Sequence, residues 1–212
     1  MCNANRSPSA NGMSVGPISE TGGPENREKW RTDLRDVNVR VWLEGPAPAP
    51  TSLDSSLRRN SAFIKRLKQP NLSESKAQIL QELACLNLRK YLDELVPSLP
   101  EILWRNTSLK DRYAAVEILS ALHVKFGGDE FTKPFMSALA QELVPAATVF
   151  EGSAEQAQKE EANRTARHRT LARIVTELVL VGFVGPLDKQ DVLRHGLEWL
   201  FGILRSLVCT RL

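Results

Sequence analysis

Apolar residues recur every three or four positions through most of the chain, and prolines and glycines punctuate the runs. The first run, 28–43, carries Trp30, Leu34, Val37, Val41 and Trp42 at helical spacing and predicts a leading helix. It stops at GPAPAP, residues 45–50, where prolines remove donors and hold the chain extended. This reads as a short stiff linker and a domain boundary. In the next helix Leu57, Ile64 and Leu67 share a face, with Phe63 beside them and Asn60 completing the stripe; Gln69-Pro70 ends it. Ser73 is the expected N-cap of a helix whose buried stripe is Ile79, Leu80, Leu83 and Leu86. Asn87 interrupts, Leu88, Tyr91, Leu92, Leu95 and Val96 follow, and Pro97 and Pro100 predict a kink or restart.

A helix over 108–126 is the clearest. Ser108 and Asp111 have capping-box spacing, Ala115, Ile118, Leu119, Leu122 and Phe126 keep the rhythm, and Gly127-Gly128 predicts a left-handed stop. Phe135, Leu139, Leu143 and Val144 mark another helix, closed by Pro145, with a loop over 146–152. From Ser153 a long helix is first charged, with Glu155–Lys159 and Glu160–Arg164 as i,i+4 pairs, and then apolar at Leu171, Ile174, Val175, Leu178 and Val181. Gly185-Pro186 is its expected end, and a last helix carries Leu193, Leu197, Leu200, Phe201, Leu204 and Leu207. No segment alternates as a strand. Consecutive amphipathic helices with short connections imply antiparallel pairs, and stacked pairs make an all-α, HEAT-like α-solenoid. The alternative is a compact irregular bundle.

Composition adds the ends of this picture. The 212 residues suffice for one domain and a tail, and 42% hydrophobic with 6% aromatic residues suits Leu-, Ile- and Ala-based helix packing. Residues 1–27 are rich in Ser, Asn, Gly and Pro, lack the apolar centre of a signal peptide, and read as a disordered N-terminal tail. The resulting division is tail 1–27, leading helix and linker 28–50, and helical domain 51–212. No apolar run reaches the roughly 20 residues that span a bilayer, so no membrane partner is expected. Cys2, Cys85 and Cys209 are isolated, which reads as reduced thiols in an intracellular protein, with Cys85 as a small core residue.

Signs of catalysis are missing. The chain holds no glycine-rich phosphate loop, GxSxG, HExxH or DxDxDG. Of its three histidines, His123 lies among apolar neighbours as a packed helix residue, while His168 and His195 read as exposed. None pairs with a Cys or carboxylate at ligand spacing, so no metal, cofactor or small-molecule substrate is expected. A non-enzymatic role follows, against the alternative of a site scattered along the chain.

The net charge of +3 is small, so its clustering matters more. Arg58, Arg59, Lys65, Arg66 and Lys68 crowd one helix, opposed only by Asp54, and positions 58, 59, 65 and 66 fall together on a helical wheel. Such a stripe fits RNA phosphates, an acidic protein partner, or simply a solvated outer face. Arg164, Arg167, Arg169 and Arg173 form a second cluster, for which an acidic neighbour in the fold is the expected compensation. Neither cluster has an aromatic platform in the sequence beside it, so base-specific RNA reading is not expected.

Four segments together resemble a known family. LDSSLRRNSAFIKRLK at 53–68, LNLRKYLDELV at 86–96, SLKDRYAAVEILSALHVKF at 108–126 and RHRTLARIVTELVLVGF at 167–183 are similar, in order and spacing, to the first middle domain of the up-frameshift protein two family, regulators of nonsense-mediated mRNA decay. That domain is of the eukaryotic initiation factor 4G type. The resemblance implies a crescent of HEAT-like helix pairs and a cytoplasmic, perinuclear at most, scaffold that assembles decay factors on mRNA without catalysis. It implies protein partners of the decay complex, with the RNA backbone as a further ligand. Family members are longer, so the chain reads as a fragment, a truncated gene model or a short paralogue. The family's contacts to its helicase and exon-junction partner belong to later regions and attach to no residue here. A translation-initiation-type middle domain that binds RNA and an RNA helicase is the competing expectation. Leu197, Leu200, Phe201, Leu204 and Leu207 are expected to face a missing neighbouring repeat.

Overall fold

A computed structural model of the chain describes residues 24–46, 48, 52–143, 153–185 and 201–202. The expected tail over 1–23, the 146–152 loop and nearly all of the last helix lie outside these residues.

Among the described residues seven named α-helices follow one another: α1 (Pro24–Glu44), α2 (Leu57–Leu67), α3 (Leu72–Cys85), α4 (Leu92–Arg105), α5 (Leu109–Gly127), α6 (Lys133–Leu143) and α7 (Ala154–Leu180). A 3-10 turn, Arg89–Tyr91, leads into α4, and a π-helical turn, Gly128–Thr132, joins α5 to α6. Among the described residues the only strand-like feature is a parallel bridge between Asp54 and Leu86. Their backbones bond through Asp54 N–H to Cys85 O and Asn87 N–H to Asp54 O, both at 2.9 Å.

The helices stack as two rows. α3, α5 and α7 pack side by side in one row, α4 rests on α6, and α2 leans on α3. This is the HEAT-like layering expected, built from helix pairs whose apolar stripes meet between the rows. Phe63, Ile79, Leu83, Leu95, Leu99, Leu119, Phe135, Leu139, Ile174 and Leu178 form one continuous core there. Burial on this scale is what holds helices of 11–27 residues that would be marginal alone.

α1 sits inside that same core rather than ahead of it. It begins at Pro24, within the expected tail, and buries Trp30, Leu34, Asn38 and Val41 against α5. Four of its side chains, roughly one per turn, hold the far end of α7. Arg31 forms a two-pronged bond with Glu177 at 2.7 and 2.9 Å, and Arg35 donates twice to Leu180 O at 2.7 and 2.9 Å. Asn38 donates to Val181 O at 2.9 Å and Trp42 Nε1 to Phe183 O at 3.2 Å. The Leu180 and Val181 carbonyls are of the kind a helix C-terminus leaves without an internal partner. Trp30 and Leu34 of α1 therefore share one core with the later helices.

The helices differ from the sequence reading in four places. α3 is entered from Asn71, whose φ of 64° places it in the left-handed region that Asn tolerates, and Ser73 instead donates through its N–H and hydroxyl to Asp111 Oδ1 at 2.9 and 2.8 Å. α4 runs unbroken through Pro97 and Pro100, because Leu95, Val96, Leu99, Pro100, Ile102 and Leu103 are buried along it and offset the lost backbone bonds. α7 stops at Gly182 rather than at Gly185-Pro186. Gly182 has φ 65°, its N–H meets Val179 O at 3.0 Å, and the Phe183 N–H meets Leu178 O at 2.9 Å, a Schellman closure. Leu57, at the first position of α2, is 68% exposed instead of facing the core.

Ser108 caps α5 as expected, accepting from the Asp111 N–H at 3.0 Å. The Asp111 carboxylate does not close the box on the Ser108 backbone; it accepts from the Ser108 and Ser73 hydroxyls and the Ser73 N–H. Burial pushes its pKa up, but these hydrogen bonds outweigh burial and hold it below the usual carboxylate range. Ser153 caps α7 in a complete box with Gln156.

Candidate functional site

α2 has the sequence LRRNSAFIKRL, with no acidic residue. Asn60, Phe63, Ile64 and Leu67 anchor it, and that anchoring turns its cations outward. The structure separates them into two groups. Arg59 pairs with Asp54, Arg66 with Glu82 on α3, and Lys68 lies 3.5 Å from Glu94 on α4. The Arg59 hydrogen bond, with a second from the Ser56 N–H, holds Asp54 below its ordinary range. Arg58 and Lys65 are exposed, and among the described residues no carboxylate pairs with either. The five-residue stripe is thus mostly compensated, with two cations left on its outward side.

The arginines of α7 are arranged differently from the sequence reading. Arg164 pairs with Glu161 at 2.6 Å and Arg167 with Glu160 at 2.9 Å, so the expected Glu160–Arg164 pair is not the one formed. Arg169 and Arg173 are exposed, and among the described residues no acidic neighbour compensates them. Solvent on the outer face of the helix does that work. Arg167 also lies 5.6 Å from the centre of the Trp104 ring, and Arg105 lies 5.6 Å from the same ring. An aromatic therefore does accompany this cluster, brought over from α4. With one guanidinium bonded to Glu101 and the other to Glu160, Trp104 serves as a clamp between α4 and α7.

A cavity of about 370 Å³ lies where α1 ends against the turn after α5. Trp42, Leu43, Pro46, Phe126 and Gly128 line it, and its carboxylates Asp129 and Glu130 are tied to Lys133 at 2.5 Å and Arg89 at 2.6 Å. This is not a convergent polar set of the kind that a scattered active site requires. Among the described residues no three His, Cys, Asp or Glu side chains gather as metal ligands, and no helix is long and apolar enough to cross a membrane.

His123 is fully buried and neutral. Its Nε2 donates to Asn38 O at 3.2 Å, Nδ1 accepts from the Thr132 hydroxyl at 2.7 Å, and it packs between Trp42 and Phe183. Burial lowers its pKa to about 4. His168, read as exposed, is half-buried, and burial with the nearby Arg164 lowers its pKa as well. Cys85 is also half-buried rather than a full core residue. Lys125 donates to Leu83 O and, at 2.6 Å, to Leu86 O at the end of α3, with its pKa lowered by burial. His123 and Lys125 join helices through these bonds. His195, Cys2 and Cys209 lie outside the described residues.

The layered helical arrangement has a counterpart among known proteins. The structure superposes on the N-terminal mIF4G domain from Saccharomyces cerevisiae Upf2 with a TM-score of 0.67 and 34% identity, over 87% of this chain and 60% of that one. That protein is described as involved in the degradation of mRNAs containing premature stop codons. The chain is a homologue of the N-terminal middle domain of this nonsense-mediated decay family. Nonsense-mediated mRNA decay protein 2 of S. cerevisiae is 33% identical across 84% of the chain, and the Arabidopsis thaliana regulator of nonsense transcripts UPF2 is 32% identical across 63%. The chain spans only 17% and 10% of those proteins. No family model matches it.

Proposed function

We propose that this chain is a non-catalytic scaffold module of the nonsense-mediated mRNA decay machinery, working in the cytoplasm by presenting helix faces to protein partners, with the RNA backbone as a further ligand. The observation that carries this reading is the shared fold: two helix rows alike in arrangement to the Upf2 mIF4G domain, with 34% of residues identical. The surface best placed to make contacts is α2, whose Arg58 and Lys65 remain uncompensated. Supporting it, the buried Trp30–Glu117 and Asn38–Ser120 hydrogen bonds join α1 to α5.

Affinity purification of the tagged chain from cells, with mass spectrometry, tests this. Recovery of decay factors is expected, together with a longer half-life of premature-stop reporter transcripts when the gene is silenced. Recovery of initiation factors and an RNA helicase, with the reporter unaffected, overturns it in favour of a translation-initiation middle domain.

A further inference from the structure

The outward side of α2 is built for one kind of contact. On a 100° wheel, Arg58 and Lys65 fall directly opposite the buried residues Asn60, Phe63, Ile64 and Leu67. Ser61 and Ala62, both exposed, occupy the surface between them, and Leu57 borders it at 68% exposure. The two cations are seven residues apart, so about 10 Å separates them along the axis. The face is thus flat, small in the middle, cationic at two points two turns apart, and apolar at one edge.

Two free cations are few for a nucleic acid. Each neutralised phosphate contributes a salt dependence of roughly 0.7 in log-log slope for single strands, and RNA-binding surfaces gather several such contacts and an aromatic on which bases stack. No aromatic lies on this side of α2, since Phe63 is buried. Small residues let another helix approach closely, and charges two turns apart match carboxylates at i and i+7 of that helix.

We propose that the outward face of α2, centred on Arg58, Ser61, Ala62 and Lys65, docks an acidic protein helix that sets carboxylates two turns apart over Arg58 and Lys65 and an apolar residue against Leu57. The proposal rests on the scaffold reading above, naming the chemistry of one partner.

The test uses the full chain and three fluorescent probes: an alanine- and leucine-based helical peptide with Glu at i and i+7, the same peptide with Lys at those positions, and a 12-nucleotide oligouridine. The acidic peptide is expected to bind in low salt, and the double variant R58E/K65E to bind it about tenfold more weakly while gaining the lysine peptide. Both residues are exposed, so circular dichroism should be unchanged in the variant. Equal binding of the acidic peptide to both proteins, no preference for it over the lysine peptide, or tighter oligouridine binding that the variant loses overturns the proposal. The scaffold reading is judged separately, by what the wild-type chain recovers from cells.

Discussion

Trp30 on α1 donates its indole N–H to the Glu117 carboxylate on α5 at 3.0 Å, across 87 residues of sequence. The other oxygen of Glu117 accepts from Lys76 of α3 at 2.7 Å. One carboxylate, 5% exposed, thus joins three helices.

Removing that carboxylate leaves a buried indole N–H and a largely covered ammonium without acceptors. E117A is expected to destabilise the fold by about 2–4 kcal/mol. E117Q, which keeps one acceptor oxygen, should lose about half as much. Urea unfolding followed by tryptophan fluorescence measures both, and an E117A midpoint equal to that of the wild type contradicts the assignment.

His123 makes stability depend on pH. Its folded pKa of about 4 lies below the ordinary 6.5, so the unfolded chain takes up a proton that the folded one refuses. The contribution is complete above pH 6.5 and is lost as pH falls towards 4; the unfolding free energy should drop by about 3 kcal/mol across that window. Denaturant midpoints at pH 7, 5.5 and 4 measure the slope. In H123Q the dependence in this window should flatten, and an unchanged slope in that variant assigns it elsewhere.

Trp42 lies against two glycines. A Cβ on Gly128 would come within 2.1 Å of the indole, and one on Gly185 would also come within 2.1 Å. G128A is therefore expected to cost about 1–3 kcal/mol by overpacking. The cost should vanish in a W42A background, where the ring is gone. A double-mutant cycle by thermal melting decides this, and additive effects of the two substitutions contradict it.

The sequence carried the helical class and the core stripes, because burial and periodicity are the same fact in a layered helical fold. Leu83, Leu119, Leu139 and Ile174 are buried as their spacing requires. What it could not carry were choices settled between distant parts of the chain. Gly182 and Gly185 are equally good stop signals locally; the capping of Leu180 and Val181 carbonyls by Arg35 and Asn38 accompanies the earlier one. Ser73 is a sound N-cap by type, yet Asp111, 38 residues on, engages it. Glu160 could pair with Arg164 or Arg167, and the one stacked near Trp104 is the one that pairs. The α2 stripe was legible as charge, but which of its members stay open depended on Asp54, Glu82 and Glu94, none of them inside the helix. Nor could the proline-rich segment show that α1, ahead of it, returns to the same core by packing on α5.

That return has a consequence for how the protein is made. α1 leaves the ribosome well before Glu177, Leu180, Val181 and Phe183, which it grips and which lie 141–146 residues downstream. At roughly 5–20 residues per second, Arg31, Arg35, Asn38 and Trp42 wait about 7–30 seconds before their partners at the end of α7 are synthesised. α1 can thus settle on α5 with one flank still open, and the arrival of the last turn of α7 closes that flank.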